Sequence, residues 1–158
     1  MQLSWERPPR PATALPAAVL IRKLRATDEA AIGRLMWAAF RGTVDDQYHG
    51  PADARTDAAQ TIAGRWGPVD WDASLAAELD SVVIAAAIVV RDFARDGLPL
   101  LAFALTDPGH QRRGIGQRLI EESIARLNSN GVHELHLAVT RGNPAVRLYQ
   151  RLGFDVVA

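Results

Sequence analysis

The alternation of hydrophobic and polar positions changes period several times along the chain, and each change predicts a new element. Residues 19–25 alternate with the period of two that is typical of a strand. The next apolar positions recur at helical spacing, namely Ile32, Leu35, Met36, Ala39 and Phe40. A weaker helical pattern covers 52–63, and 74–78 forms a short strand. The first half is therefore predicted as strand, helix, helix, strand.

Two continuous apolar runs, Val82–Val90 and Leu98–Thr106, follow. Such runs are expected of strands that are covered on both faces. The remaining elements are a helix at 114–129, a strand at 132–140, a helix from Asn143 to Gly153 and a stub of strand at 154–157. The order β-α-α-β-β-β-α-β-α-β predicts an α/β fold in which one central mixed β-sheet is flanked by helices.

Length, charge and cysteine content narrow the classes of protein. A chain of 158 residues is the size of one domain, which we expect at 17–158, preceded by an extended, proline-rich arm at 1–16. The net charge of zero gives no reason to expect nucleic acid or a membrane as partner. The N-terminal segment lacks the apolar core of a secretory signal, so a cytoplasmic protein is expected. Without cysteine or a histidine pair of suitable spacing, no metal site is predicted.

The segment Thr106-Asp-Pro-Gly-His-Gln-Arg-Arg-Gly-Ile-Gly116 joins a covered strand to an amphipathic helix. Free amides at a helix N-terminus bind anions, and glycine lets the backbone approach them closely. Arg112 and Arg113 add positive charge, so the segment predicts a phosphate or pyrophosphate site. A Walker loop requires lysine where Gln117 stands, and a dinucleotide fingerprint requires a third glycine where Leu119 stands.

The segment Gln111–Gly116 resembles the acyl-CoA signature of the GNAT superfamily of N-acetyltransferases, Gln/Arg-x-x-Gly-x-Gly/Ala. The segment Asn143-Pro-Ala-Val-Arg-Leu-Tyr-Gln-Arg-Leu-Gly-Phe154 resembles the second CoA-contacting motif of that family. The resemblance covers about 98–154 and is only topological before it. It implies a single GNAT-type domain that moves an acetyl group from acetyl-CoA to a primary amine.

The resemblance also implies where the cofactor binds. Backbone amides would hold the pyrophosphate of acetyl-CoA along a segment that comprises Gln111, Arg112, Arg113, Gly114, Ile115 and Gly116. The pantetheine arm would lie along Leu105 and Thr106, where the sheet of the family splays open and a backbone N–H polarises the thioester carbonyl. Asn143 would contact the cofactor arm or cap the last helix.

Tyr149 is the candidate general acid. It shares one face of the last helix with Ala145, Leu148 and Leu152, so its side chain should point towards the sheet. In the family, a tyrosine at this place protonates the departing CoA thiolate; the alternative is a core aromatic with a hydrogen-bonded hydroxyl. Because the chain has no cysteine, we expect direct attack by the amine in a ternary complex.

Many family members carry a glutamate as general base on the strand that corresponds to 98–106. Residues 98–106 contain no acid or base here, so the general base must come from elsewhere. Glu78, Asp107 or a chain of waters would substitute, and for Glu78 the alternative is a solvated strand end. This gap leaves open a non-catalytic acyl-CoA-binding module (a sensor or regulator) on the same fold. A hydroxyl or thiol acceptor is a third hypothesis.

The loop between the first two helices selects the acceptor in this fold. Here Asp45 and Asp46 would attract a cationic small-molecule or peptide amine, and Tyr48 would cover it. The alternative is a polar connector. Trp66 and Trp71 would either cap the acceptor site or pack against the second helix.

The short strand at 154–157 should leave an unpaired edge on the sheet. We expect the N-terminal arm, or the second subunit of a homodimer, to cover that edge.

Overall fold

The computed structural model describes residues 1–5, 12–93 and 97–157, and these form one mixed seven-stranded sheet flanked by helices. The strands are β1 (Gln2–Trp5), β2 (Leu20–Lys23), β3 (Leu75–Leu79), β4 (Val82–Val90), β5 (Leu100–Thr106), β6 (Leu135–Ala138) and β7 (Asp155–Val157). The α-helices are α1 (Glu29–Phe40), α2 (Pro51–Ile62), α3 (Ile115–Ser129) and α4 (Val146–Leu152). From β2 onwards the order is the predicted β-α-α-β-β-β-α-β-α-β, so the predicted α/β fold is confirmed.

The sheet contains one strand that periodicity did not predict. Its order is β2-β3-β4-β5-β6-β1-β7, and β1 runs antiparallel to both of its neighbours, with Leu3 opposite Leu137 on one side and Val156 on the other. The N-terminal segment therefore covers β6, and β7 becomes the edge strand. Residues 6–11 lie outside the described part, so the boundary expected at residue 16 stays a prediction.

Apolar side chains fill both faces of the sheet. On one face α3 and α4 bury the core residues Ile115, Leu119, Ile120, Ile124, Leu127 and Leu152. On the other face α1 and α2 bury Ile32, Leu35, Met36, Ala54 and Ala58. Each large side chain contributes roughly 1.5–3 kcal/mol on burial, which holds the helices against the strands. None of the described helices is long and apolar enough to span a bilayer.

The sheet opens between β5 and β6. These parallel strands pair only where Leu100 lies opposite His136, and the His136 amide donates to Pro99 O at 3.0 Å. No further pairing between the two strands occurs in the described part of the chain. The opening lies towards the carboxyl ends of both strands, each of which keeps its other neighbour, β4 or β1.

Candidate active site

A groove of about 710 Å³ lies at the carboxyl end of β5. It is lined by the end of α1 and the loop after it, by the end of β5, by the start of α3 and by α4. Four elements that are distant in sequence thus meet around one cavity.

The loop between β5 and α3 forms one end of the groove. Asp107 Oδ1 accepts a hydrogen bond from the Gly109 amide at 2.9 Å and stabilises the turn out of β5. Gly114 has a φ of +78° and ends the loop just before α3. The Arg118 amide donates to Gly114 O at 3.0 Å, and the amides of the preceding helical turn have no intrahelical acceptor. This helix start can bind an anion.

Most of the residues assigned to the cofactor line this groove: Thr106, Gln111, Arg112, Gly114, Ile115, Gly116 and Asn143. Two do not. Arg113 is exposed and lies outside the lining, and the Leu105 side chain is buried in the core on the α1 face of the sheet. The neighbours Ala104 and Thr106 line the groove instead, because successive side chains of a strand point to opposite faces.

Two arginines of α4 were missed by the sequence reasoning. Arg147 and Arg151 line the groove together with Arg112, while Asp45 is the acidic residue of the lining. The spacing of four residues was the available signal, because it places two side chains on the same side of a helix. The excess of positive charge favours an anionic ligand.

Tyr149 lies on the groove wall formed by α4. Its ring packs edge-to-face on Phe154, with the centroids 5.9 Å apart, and the side chain is half-buried. Its hydroxyl makes no hydrogen bond to any other described residue. Burial, and secondarily the Asp45 carboxylate, raises the pKa of Tyr149 to about 12. The phenol is therefore protonated throughout the physiological range and available as a donor.

The loop after α1 is tied to α4 across the groove. The Asp45 carboxylate accepts hydrogen bonds from the Thr140 hydroxyl and, at 2.7 Å, from Asn143 Nδ2. Asn143 Oδ1 accepts from the Ala145 amide at 2.8 Å, so this side chain also caps the turn that leads into α4. Asn143 therefore combines the cap with a position on the groove wall.

Other residues assigned to the acceptor or to catalysis lie apart from the groove. Asp46 Oδ2 accepts from the Gly42 amide at 2.8 Å and is exposed. Glu78, at the end of β3, accepts from Arg22 Nε at 2.7 Å and lines neither of the two cavities described here. Both assignments stay predictions.

Tyr48 belongs to a second cavity of about 570 Å³, which we call the aromatic cavity. Its walls are residues of α2, β5, the end of β6 and nearby loops, including Tyr48, Asp57, Trp66, Phe93, Phe103 and Ala138. Of the two loop tryptophans, Trp66 lines this cavity and packs on Phe93, whereas Trp71 is partly exposed. Asp57 was not predicted as a site residue. Helical spacing was the available signal for its burial, because it shares one face of α2 with the small residues Ala54, Ala58 and Thr61.

Comparison with known proteins shows the family to which this chain is similar. Residues 30–154 match the acetyltransferase (GNAT) family. The chain belongs to this family. The match covers α1 to the start of the last strand, so it includes both the anion loop and α4, and the predicted GNAT membership is confirmed.

Individual relatives of this GNAT protein agree with that assignment. The [ribosomal protein bS18]-alanine N-acetyltransferase of Salmonella typhimurium is 39% identical over 71 residues, which are 44% of this chain and 47% of that protein. The matched segment thus spans about half the length of this curated relative. A GNAT family acetyltransferase from Brucella melitensis, solved in complex with acetyl-CoA, is 29% identical with a TM-score of 0.63, covering 87% of this chain and 83% of that one.

A further solved structure supports the fold alone. The GCN5-related N-acetyltransferase from Sphaerobacter thermophilus has a TM-score of 0.75 at 21% identity. It aligns with 99% of this chain and 47% of its own.

Proposed function

We propose that this GNAT protein is an acetyl-CoA-dependent N-acetyltransferase that transfers the acetyl group directly to an amine. The observation that carries the proposal is the groove, which has the free amides of the α3 start at one end and the Tyr149 hydroxyl on its wall. A related acetyltransferase from Brucella melitensis was solved with acetyl-CoA, which supports the choice of donor.

The start of α3 would bind the pyrophosphate of acetyl-CoA. The amides from Gln111 to Gly116 offer donors, and Arg112, Arg147 and Arg151 add positive charge around the same cavity. Thr106 and Ala104 would contact the pantetheine arm, with a backbone N–H of β5 near them polarising the thioester carbonyl. Asn143 would lie beside the same arm.

Tyr149 would stabilise the leaving thiolate. Burial raises the pKa of this phenol to about 12, whereas a thiol has a pKa of about 8.5. Complete transfer of the proton from phenol to thiolate would then cost roughly 5 kcal/mol, at about 1.4 kcal/mol for each pKa unit. The phenol therefore acts as a hydrogen-bond donor to the sulfur, and the proton that the acceptor nitrogen loses after its attack finally protonates the thiolate.

The acceptor must lose a proton before or during attack, because an alkylamine is mostly protonated at neutral pH. Glu78 was our candidate base, yet its carboxylate accepts a hydrogen bond from Arg22 and does not line the groove. Asp107 is engaged with the Gly109 amide. A water in the groove is the base that best fits this arrangement.

Two measurements test the proposed function. Saturating acetyl-CoA should raise the melting temperature, since a ligand that binds only the folded state stabilises it. Release of free CoA thiol should then depend on an added amine. Absence of stabilisation would overturn both the enzyme and the non-catalytic CoA-binding alternative, while stabilisation without thiol release across a broad amine panel would favour that alternative.

The two tyrosines offer a matched pair of variants. Tyr149→Phe should lower kcat by about 100-fold while leaving the dissociation constant of acetyl-CoA within about twofold, in the range typical of general-acid contributions. The same chemical change at the other tyrosine, Tyr48→Phe, removes a hydroxyl outside the groove, on the acceptor side, and should alter KM for the acceptor while leaving kcat within about threefold. Equal losses in kcat would overturn the role of Tyr149.

The predicted homodimer has one structural argument, and the cytoplasmic location stays a prediction. β7 is an edge strand, Val156 on it is exposed, and an exposed edge can pair with a second copy. Sedimentation at two protein concentrations tests the dimer, and a monomer at both would overturn it.

A further inference from the structure

The aromatic cavity is large enough to hold a small molecule. Its volume of about 570 Å³ lies in the range of ligand pockets, and four aromatic residues contribute to its walls: Tyr48, Trp66, Phe93 and Phe103. Aromatic walls bind flat apolar groups and, through the negative faces of their rings, cations.

Among the polar residues of this cavity, which also include Gln47, Asp53, Thr56, Gln60 and Arg65, the buried carboxylate is that of Asp57. Asp57 is 8% exposed, and its Oδ2 accepts from the Tyr48 hydroxyl at 2.6 Å. Its Oδ1 accepts no hydrogen bond from a described residue, and its ion pair with Arg65 Nη1 is long, at 3.6 Å, and comes from a half-exposed side chain. A buried acceptor without a hydrogen bond destabilises the protein. A ligand that donates a hydrogen bond to Oδ1 removes that penalty and therefore binds more tightly.

The aromatic cavity adjoins the groove. Phe40 lines the groove, and its ring lies 6.3 Å from that of Tyr48 and 6.2 Å from that of Phe103, both of which line the cavity. Along β5, residues 100–103 line the cavity, while Ala104 and Thr106 line the groove. The two cavities therefore lie next to each other along one strand, with the Phe40 ring at their boundary.

We propose that the aromatic cavity binds the body of the acceptor, and that this body is an aromatic ring that carries a second cationic group for Asp57. The proposal rests on the proposed acetyltransferase function, which supplies the reacting amine in the groove. One ammonium of the acceptor gives a proton to water, and its nitrogen attacks the acetyl carbonyl. The C–S bond breaks, the second proton lost by that nitrogen ends on the CoA thiolate, and the other ammonium stays paired with the carboxylate.

Four acceptors separate the effect of the aromatic ring from that of the second cationic group: 1,4-bis(aminomethyl)benzene, benzylamine, 1,6-diaminohexane and hexylamine. We expect kcat/KM, divided by two for each symmetrical diamine, to be highest for 1,4-bis(aminomethyl)benzene. Benzylamine should be at least about tenfold worse, which is the ratio that a charge-assisted hydrogen bond supports. The aliphatic diamine should be about fivefold worse, because it forgoes the ring contacts.

Three variants assign these preferences to residues. Asp57→Asn keeps an acceptor for the Tyr48 hydroxyl and should abolish the advantage of the aromatic diamine over benzylamine. Phe103→Leu should reduce the advantage of the ring and spare that of the second charge. Asp80→Asn, in the exposed turn after β3, removes the same charge outside both cavities and should change neither preference. An unchanged diamine preference in Asp57→Asn, or the same loss in Asp80→Asn, overturns the proposal.

Calorimetry separates failure of this proposal from failure of the acetyltransferase function. Titration of 1,4-bis(aminomethyl)benzene into the CoA-saturated protein needs no turnover. Binding that weakens at least about tenfold in Asp57→Asn supports the cavity as the cation site even where no thiol is released, a result that would overturn the acetyltransferase instead. Binding that is absent, or that does not depend on Asp57, overturns the cavity proposal whatever the turnover.

Discussion

Gly116 faces Thr106 so closely that a Cβ atom at position 116 would lie 3.1 Å from Thr106 Oγ1. The first turn of α3 thus packs directly on the end of β5, and this contact fixes the helix amides relative to the strand. Gly114, two residues earlier, has a φ of +78°, a conformation that costs other residues roughly 1–2 kcal/mol.

Alanine at these two glycines should therefore give unequal effects. Gly114→Ala combines an unfavourable φ with a contact of 3.0 Å to Thr13 Cγ2, and should weaken acetyl-CoA binding at least about tenfold, corresponding to roughly 1.4 kcal/mol. Gly116→Ala should weaken it only about threefold, because the Thr106 hydroxyl can shift. Gly131→Ala is the control, with a φ of +79° and open space around it at the end of α3. Loss of affinity in that control would contradict the local explanation.

The pH dependence of turnover tests the state of Tyr149. Its pKa is raised to about 12, so the phenol keeps its proton below that pH and the donor is lost only above it. We expect no falling limb of kcat near pH 10, where an ordinary tyrosine would be half ionised. A falling limb centred near 10 that disappears in Tyr149→Phe would show that the phenol ionises normally.

Asp45 and Asn143 can be separated by single variants. Asp45→Ala removes the connection across the groove and leaves the cap between Asn143 Oδ1 and the Ala145 amide. It should raise the dissociation constant of acetyl-CoA several-fold with little change in stability. Asn143→Ala also removes the cap and should cost about 1 kcal/mol of stability. Equal stability of the two variants in urea unfolding would argue against the cap.

The Arg22–Asp28 pair predicts a pH-dependent stability. Asp28 accepts two hydrogen bonds of 2.8 Å from Arg22, which lower the pKa of this carboxyl below its usual value. A lowered folded-state pKa stabilises the fold above the unfolded value of about 3.9 and loses that contribution as the pH falls through the folded value. Asp28→Asn should therefore cost about 2 kcal/mol at pH 7, and the difference should shrink below pH of about 4. A constant difference down to pH 2 would contradict the ion pair as its cause.

Glu78→Gln tests the remaining candidate base. Because its carboxylate binds Arg22 and lines neither cavity, we expect a lower melting temperature with kcat/KM within about twofold, the size of an ordinary peripheral change. A loss of more than about 100-fold at unchanged stability would restore Glu78 as the general base.

Local pattern was sufficient for the elements after β1 and for the glycine-rich loop between β5 and α3. Val82–Val90 is apolar without interruption and forms a strand with those bounds. A strand covered on both faces has a continuous apolar sequence, so it can be recognised without knowing its neighbours. The position of Tyr149 on the inner face of α4 followed from helical spacing, and its ring does pack against the core. Glycines and proline placed the start of α3 and the end of α4 for the same local reason.

Tertiary structure decided what depends on segments that are far apart in sequence. Periodicity could not place β1 between β6 and β7, because four residues have no periodic signal of their own and their position depends on hydrogen bonds to partners more than 130 residues away. The same holds for Tyr48, whose partner Asp57 lies on α2 and whose cavity is closed by β5, and for Glu78, which meets Arg22 across β2 and β3. The sequence by itself determined the local backbone and the glycine-rich loop before α3; the pairing of distant strands and the burial of charged groups decided which residues line the two cavities.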